Sequence, residues 1–151
     1  MYFNLTYIKN MKTSLNIFLL VVLFFGAMSQ SYAQDKFEDE PQVIFNKIES
    51  GIKEFDVNRF SDYFQSETFV SFINGVSGSF SSNQLFFIVQ DFINSYKPIS
   101  FRITKISSGP QYSFATGFYN YSYEGIKGVA KFYISLKTEN GSWRISQISI
   151  N

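Results

Sequence analysis

Asp62 and Tyr63 set a carboxylate beside a phenol. A phenol can donate a hydrogen bond to a substrate carbonyl while a nearby carboxylate moves a proton. Successive residues on a helix point about 100° apart, however. One cavity is therefore not easily faced by both, and the same pair reads as a packed tyrosine beside a solvated acid. Asp56 stands where the N-cap of a short helix is expected. Asp91 lies opposite an apolar stripe and reads as solvated. The chain contains no His and no Cys. Zinc sites of the His/Cys kind cannot be built from it, and neither can Ser-His-Asp or Cys-His nucleophilic machinery. No cofactor or metal site is expected.

The other chemistry-bearing set is aromatic. Tyr112, Phe114, Phe118, Tyr119, Tyr121, Tyr123 and Tyr133 crowd two consecutive β-rich segments. In the first, the even positions include Phe114 and Phe118, and the odd ones Ala115, Gly117, Tyr119 and Tyr121. One face is expected to be core and the other to carry tyrosines. Tyrosine joins a large apolar ring to a polar tip and suits interfaces. Tyr119, Tyr121, Tyr123 and Tyr133 are thus expected to form a ligand or partner surface, against the plainer reading of β-propensity on a solvated face.

These residues need elements to hold them. Pro41 opens a helix, with Val43, Ile44, Ile48, Ile52 and Phe55 at helical spacing and Glu49 and Lys53 as an exposed pair. Asp56 caps a second helix, Val57 to Phe64, with Phe60, Tyr63 and Phe64 inward. Thr68 to Ile73 and Val76 to Phe80 form two strands around Asn74-Gly75. Ser81 or Ser82 caps a third helix reaching about Tyr96, with Leu85, Ile88, Val89 and Phe92 on its apolar face. Pro98 ends that element. Four strands follow: Ile99 to Ser107, Tyr112 to Tyr123, Lys127 to Lys137 and Trp143 to Ile150. Short connections imply an antiparallel meander. In the third of these strands Ala130, Phe132, Ile134 and Leu136 face one way and Lys131, Tyr133, Ser135 and Lys137 the other. Asn140-Gly141 reads as a type I′ turn. The apolar phase slips between Ile145 and Ile148, which implies a bulge near Ser146. The order α-α-β-β-α-β-β-β-β is an α+β fold with helices on one face of a curved, mainly antiparallel sheet.

Ahead of this domain, Lys9 and Lys12 precede an apolar run, Ile17 to Ala27, and the small-x-small site Ser31-Tyr32-Ala33. Residues 1–33 read as a secretory signal peptide, with Met11 as an alternative start. The run falls short of the ~20 residues of a membrane span. Residues 34–40 read as a mobile acidic leader, and 41–151 as a single domain. Loss of Lys9 and Lys12 takes the formal net charge from +1 to −1. The remaining basic residues are scattered along the chain, so nucleic-acid binding, which needs a clustered positive face, is set aside.

The element order resembles the nuclear-transport-factor-like superfamily (a cystatin-like cone), in which a bent sheet wraps around helices. Within it, the chain is similar to a family of small exported bacterial proteins of unknown function. The resemblance is carried by Ile48 to Lys53, Asp56 to Phe64, the Lys97-Pro98 to Phe101 join, Ala115 and Gly117, Phe132 to Lys137 and Trp143 to Ile148. It covers nearly all of residues 41–151 and implies no functional residues of its own. Enzymes of that superfamily, such as ketosteroid isomerase, line the cone with acids, Tyr or His. Here the strands hold almost no carboxylates, Glu124 and Glu139 lying at turns. The expected function is therefore a periplasmic or secreted, non-enzymatic domain that binds a small apolar ligand, a protein partner or a second copy of itself. The binding surface would be the cone mouth or the tyrosine-bearing sheet face. The alternatives are a small isomerase or dehydratase, and an accessory module of the cell envelope.

Overall fold

The computed structural model describes residues 40–151, all within one compact unit. The expected signal peptide and all of the expected leader but Glu40 lie outside the described residues. Two helices come first, α1 (Pro41–Lys53) and α2 (Asn58–Ser61). The hairpin β1 (Phe64–Phe72) and β2 (Ser77–Ser81) follows, then helix α3 (Ser82–Ser95). The meander closes the chain as β3 (Lys97–Ser108), β4 (Tyr112–Tyr123), β5 (Ile126–Glu139) and β6 (Ser142–Ile150). One six-stranded sheet runs in the order β2-β1-β6-β5-β4-β3. All neighbours are antiparallel except β1 and β6, which run parallel. This is the expected α+β order.

Helix α1 starts at Pro41, whose missing N–H removes no bond in the first turn. It buries Ile44, Phe45, Ile48 and Ile52. Phe55, expected on that face, lies beyond the helix end. It takes a left-handed backbone (φ 59°), and its ring is exposed. Helix α2 is shorter than its apolar spacing suggests, because Phe64 is recruited into β1. The Ile145 amide donates to the Tyr63 carbonyl at 2.6 Å, and Phe64 pairs with Ile145. Tertiary pairing here overrides local helical periodicity. Asp56, expected to cap α2, lies one residue too early: Val57 holds the cap position without a side-chain cap bond, and Asp56 accepts from the Asn58 amide at 3.1 Å in the turn before it. Helix α3 opens on a capping box between Ser81 and Gln84 and buries Leu85, Val89, Phe92 and Ile93.

Pro98 lies inside β3 and not at a boundary. It is tolerated because β3 is an edge strand, where a missing N–H breaks no obligatory ladder bond. Asn140 and Gly141 have φ of 52° and 80°, as a type I′ turn requires. Ser146 is the bulge: the β5–β6 pairing steps from Gln147 to Ile145 across it. The inner face of the sheet meets the helices over a ring-rich core. Phe101 stacks on Phe132 at 4.0 Å, and Phe72 meets Phe92 at 4.5 Å. Among the described residues no helix is long and apolar enough to cross a membrane.

Candidate functional site

Asp62 and Tyr63 diverge. The Tyr63 hydroxyl accepts from Lys47 of α1, whose ammonium also lies 4.8 Å from the tyrosine ring centre. Tyr63 packs against the core. Asp62 is exposed, and its backbone carbonyl accepts from Arg144 at 2.9 Å. It borders a cleft of about 530 Å³ shared with Ser61, Phe64, Ser82, Asn83, Phe86 and Phe87, to which Tyr63 does not contribute. Asp91 is exposed on α3. Among the described residues no three acids gather as a metal cluster. The buried polar side chains of the interior are Thr68 and Ser113, with Tyr119. No carboxylate joins them among the described residues.

The tyrosines divide by strand register. Tyr119 pairs with Phe101 on one side and Ala130 on the other, so it lies on the inner face and is fully buried. The expectation that Tyr119 belongs to an exposed surface is corrected. The odd positions of β4 carry Ala115, Gly117 and Tyr119, and the Phe132 ring of β5 lies over Gly117. The Tyr119 hydroxyl donates to the Tyr96 carbonyl. Burial raises its phenol well above the ordinary value, and neighbouring Tyr121 adds to the effect. Tyr121 and Tyr123 share this inner face but lie beyond the helices, towards the tip of the β4–β5 hairpin. Phe92, Tyr96 and Tyr123 form a column of near-parallel rings, 5.0 Å and 4.5 Å apart, and Tyr121 meets Tyr96 edge-on. The Glu124 carboxylate beside Tyr123 raises that phenol too, with Tyr96 adding to it. Tyr133 alone of the four is on the outer face, half-buried and stacked 5.7 Å from Phe114.

That outer face gathers what the linear sequence scatters. Lys97 and Lys127 stand opposite Ser122 from either side, and Arg102 and Lys131 stand opposite Phe118. Lys105 faces Thr116, and Lys137 faces Tyr112. Three cations on β3 and three on β5 thus flank β4 in two columns. The columns are about 10 Å apart, twice the interstrand spacing. All six are exposed, and none has a carboxylate partner among the described residues. The one acid in β3, β4 and β5 is Glu139, at the end of β5 and within 3.5 Å of the Gln65 amide. The floor between the columns is neutral: Tyr112, Phe114, Thr116, Phe118, Asn120 and Ser122 alternate along β4.

A groove of about 430 Å³ lies in this face. Phe118 and Tyr133 supply aromatic walls; Thr104, Thr116 and Ser149 supply hydroxyls; Lys131 supplies charge. Gly117 lies in its lining, and a Cβ there would come within 1.9 Å of the Arg102 carbonyl and 2.7 Å of the Phe132 ring. The alternation of Lys131, Tyr133 and Lys137 against the apolar phase of β5 is readable from sequence. The β3 column is not, because bulges at Ile99 and Thr104 shift the phase of Lys97, Arg102 and Lys105.

Residues 45–151 match the family model described as a domain of unknown function, DUF4783. The chain belongs to this family. A DUF4783 family protein from Bacteroides uniformis is similar in structure, with a TM-score of 0.63 at 15% identity, over 70% of this chain and 94% of that one. Another, from Bacteroides ovatus, has a TM-score of 0.58 at 19% identity, over 75% and 94%. A hypothetical protein from Catenulispora acidiphila with a ketosteroid isomerase-like fold, in complex with trimethylamine, has a TM-score of 0.58 at 12% identity, over 75% and 86%. At these identities the likeness is one of fold, and this DUF4783 chain has the nuclear-transport-factor-like, cystatin-like cone. No curated protein matches the chain significantly.

Proposed function

We propose that this protein is an exported, non-catalytic binding domain that captures an anionic partner on the outer face of β3, β4 and β5. The observation that carries the reading is the pair of basic columns around a neutral aromatic floor. Like charges held on one face without counter-charges repel one another. An anionic partner relieves that repulsion, whereas a second copy of the same face doubles it. The face therefore favours a different molecule over sheet-to-sheet homodimerisation. The interior speaks against the isomerase or dehydratase reading, since a general base must reach the substrate's proton and no buried carboxylate is present among the described residues. Export rests on the N-terminal sequence pattern.

The test is retention on a sulfated cation-exchange matrix by the protein and by its Lys127→Glu/Lys131→Glu variant. The variant is expected to elute at markedly lower salt than a control reversed at Lys53, which pairs with Glu49 on α1. Equal elution of the two variants would contradict the reading.

A further inference from the structure

The face also carries information about which anion it takes. The two columns run along both sides of β4, opposite Ser122, Phe118, Thr116 and Tyr112. Such an arrangement suits an extended polyanion laid along the strand. The chemistry between the columns says which kind.

The floor between them favours a sugar polymer. Thr116, Asn120 and Ser122 of β4, with Ser149 at the groove, carry hydroxyls and an amide, groups that donate and accept, and the Thr104 hydroxyl, which donates to the Thr116 carbonyl, can still accept. Such groups suit a hydroxyl-rich ligand. Phe118 is 44% exposed, and Tyr133 forms a second aromatic wall with its ring braced by Phe114. Apolar walls beside hydroxyl-bonding groups fit a sugar ring, which has apolar C–H faces and a polar rim.

We infer that the anionic partner is an acidic polysaccharide laid along β4, with one sugar ring in the groove between Phe118 and Tyr133 and its carboxylates on the β3 and β5 columns. This inference rests on the proposed binding role of the outer face. Lys131 would take the carboxylate nearest the groove, since it alone among the six cations lines it.

The experiment is calorimetric titration of the protein with four probes: a polyuronate (alginate), a neutral glycan (dextran), a poly-dT oligonucleotide and phosphatidylglycerol vesicles. Alginate is expected to bind, dextran not, and the oligonucleotide and vesicles at least tenfold more weakly than alginate. Lys127→Ala/Lys131→Ala and Phe118→Ala are each expected to weaken alginate binding tenfold or more, while Lys53→Ala leaves it unchanged. All the substituted side chains are exposed, and circular dichroism checks that each variant is folded. Tighter binding of the oligonucleotide or the vesicles, lost in the double lysine variant, would overturn the polysaccharide and leave the outer-face reading standing. Binding of none of the probes, or binding unaffected by the lysine substitutions, would overturn both. Alginate binding that Phe118→Ala does not change would remove the sugar ring from the groove.

Discussion

Arg102 and Lys131 occupy one row of the sheet, each directly opposite Phe118, from the strands on its two sides. They are separated by 29 positions in the sequence and by two interstrand spacings in the fold. That relation turns isolated basic residues into a face. It also leaves their charges unanswered, because the acids of the described domain lie in helices, loops, turns, β1 and the last residue of β5.

Replacing Lys131 by Gln removes a cation from a like-charged surface and breaks no ion pair. The free energy of unfolding is expected to change by less than about 0.5 kcal/mol, as for ordinary surface substitutions. Urea denaturation checks this. A large loss would show that Lys131 has a structural role.

Gly117→Ala is expected to destabilise the fold by about 1–3 kcal/mol, the usual range for overpacking a filled interior. The new methyl would overlap the Arg102 carbonyl and press on the Phe132 ring. Neither is the free end of a flexible side chain, so relief requires moving β3 or repacking the Phe101–Phe132 stack. The measurement is the midpoint of urea unfolding.

Thr68→Val keeps the shape of a fully buried side chain but deletes its hydrogen bond to the Ile145 carbonyl, now 2.9 Å long. That bond spans the irregular stretch of the β1–β6 pairing between Phe64 and Phe69. The expected cost is about 1–3 kcal/mol, the penalty for leaving a buried acceptor unpaired. Hydrogen exchange at the β1–β6 amides should accelerate with it.

Tyr119 links stability to alkaline pH. Its phenol holds its proton more tightly in the folded chain, through burial and then through Tyr121. A raised folded value means that the stabilisation is complete below the unfolded value, near pH ~10. It is lost as pH climbs towards the folded value. Unfolding free energy should therefore fall above pH ~10, and fall less steeply in Tyr119→Phe. At pH 7 that variant should lose about 1 kcal/mol with the bond to the Tyr96 carbonyl. A parallel pH dependence in both proteins would contradict this role for Tyr119.

The element order was legible because the meander turns carry residues that accept positive φ, Asn140 among them, and because Phe132, Ile134 and Leu136 alternate cleanly. The Ser146 bulge was legible as a slip in that alternation. Phe64 was not, since its place in β1 depends on Ile145, some eighty residues away. The inside and outside of β4 were also not separable by residue type. Both faces bear aromatics, and only the smallness of Ala115 and Gly117 marks the inner face. The basic face was hidden for a related reason. Two bulges in β3 break the period-two rule that would have aligned Lys97, Arg102 and Lys105. Scatter along a sequence says little about scatter in space when distant strands pair.

The binding of an acidic polysaccharide on the outer face is tested most directly by amide chemical-shift mapping of the isotopically labelled protein during titration with alginate. Shifts are expected at Thr116, Phe118, Lys131, Tyr133 and Ser149, with Tyr96, Tyr121 and Tyr123 unmoved. Shifts concentrated at Tyr96, Tyr121 and Tyr123, or none along β4 and β5, would contradict it.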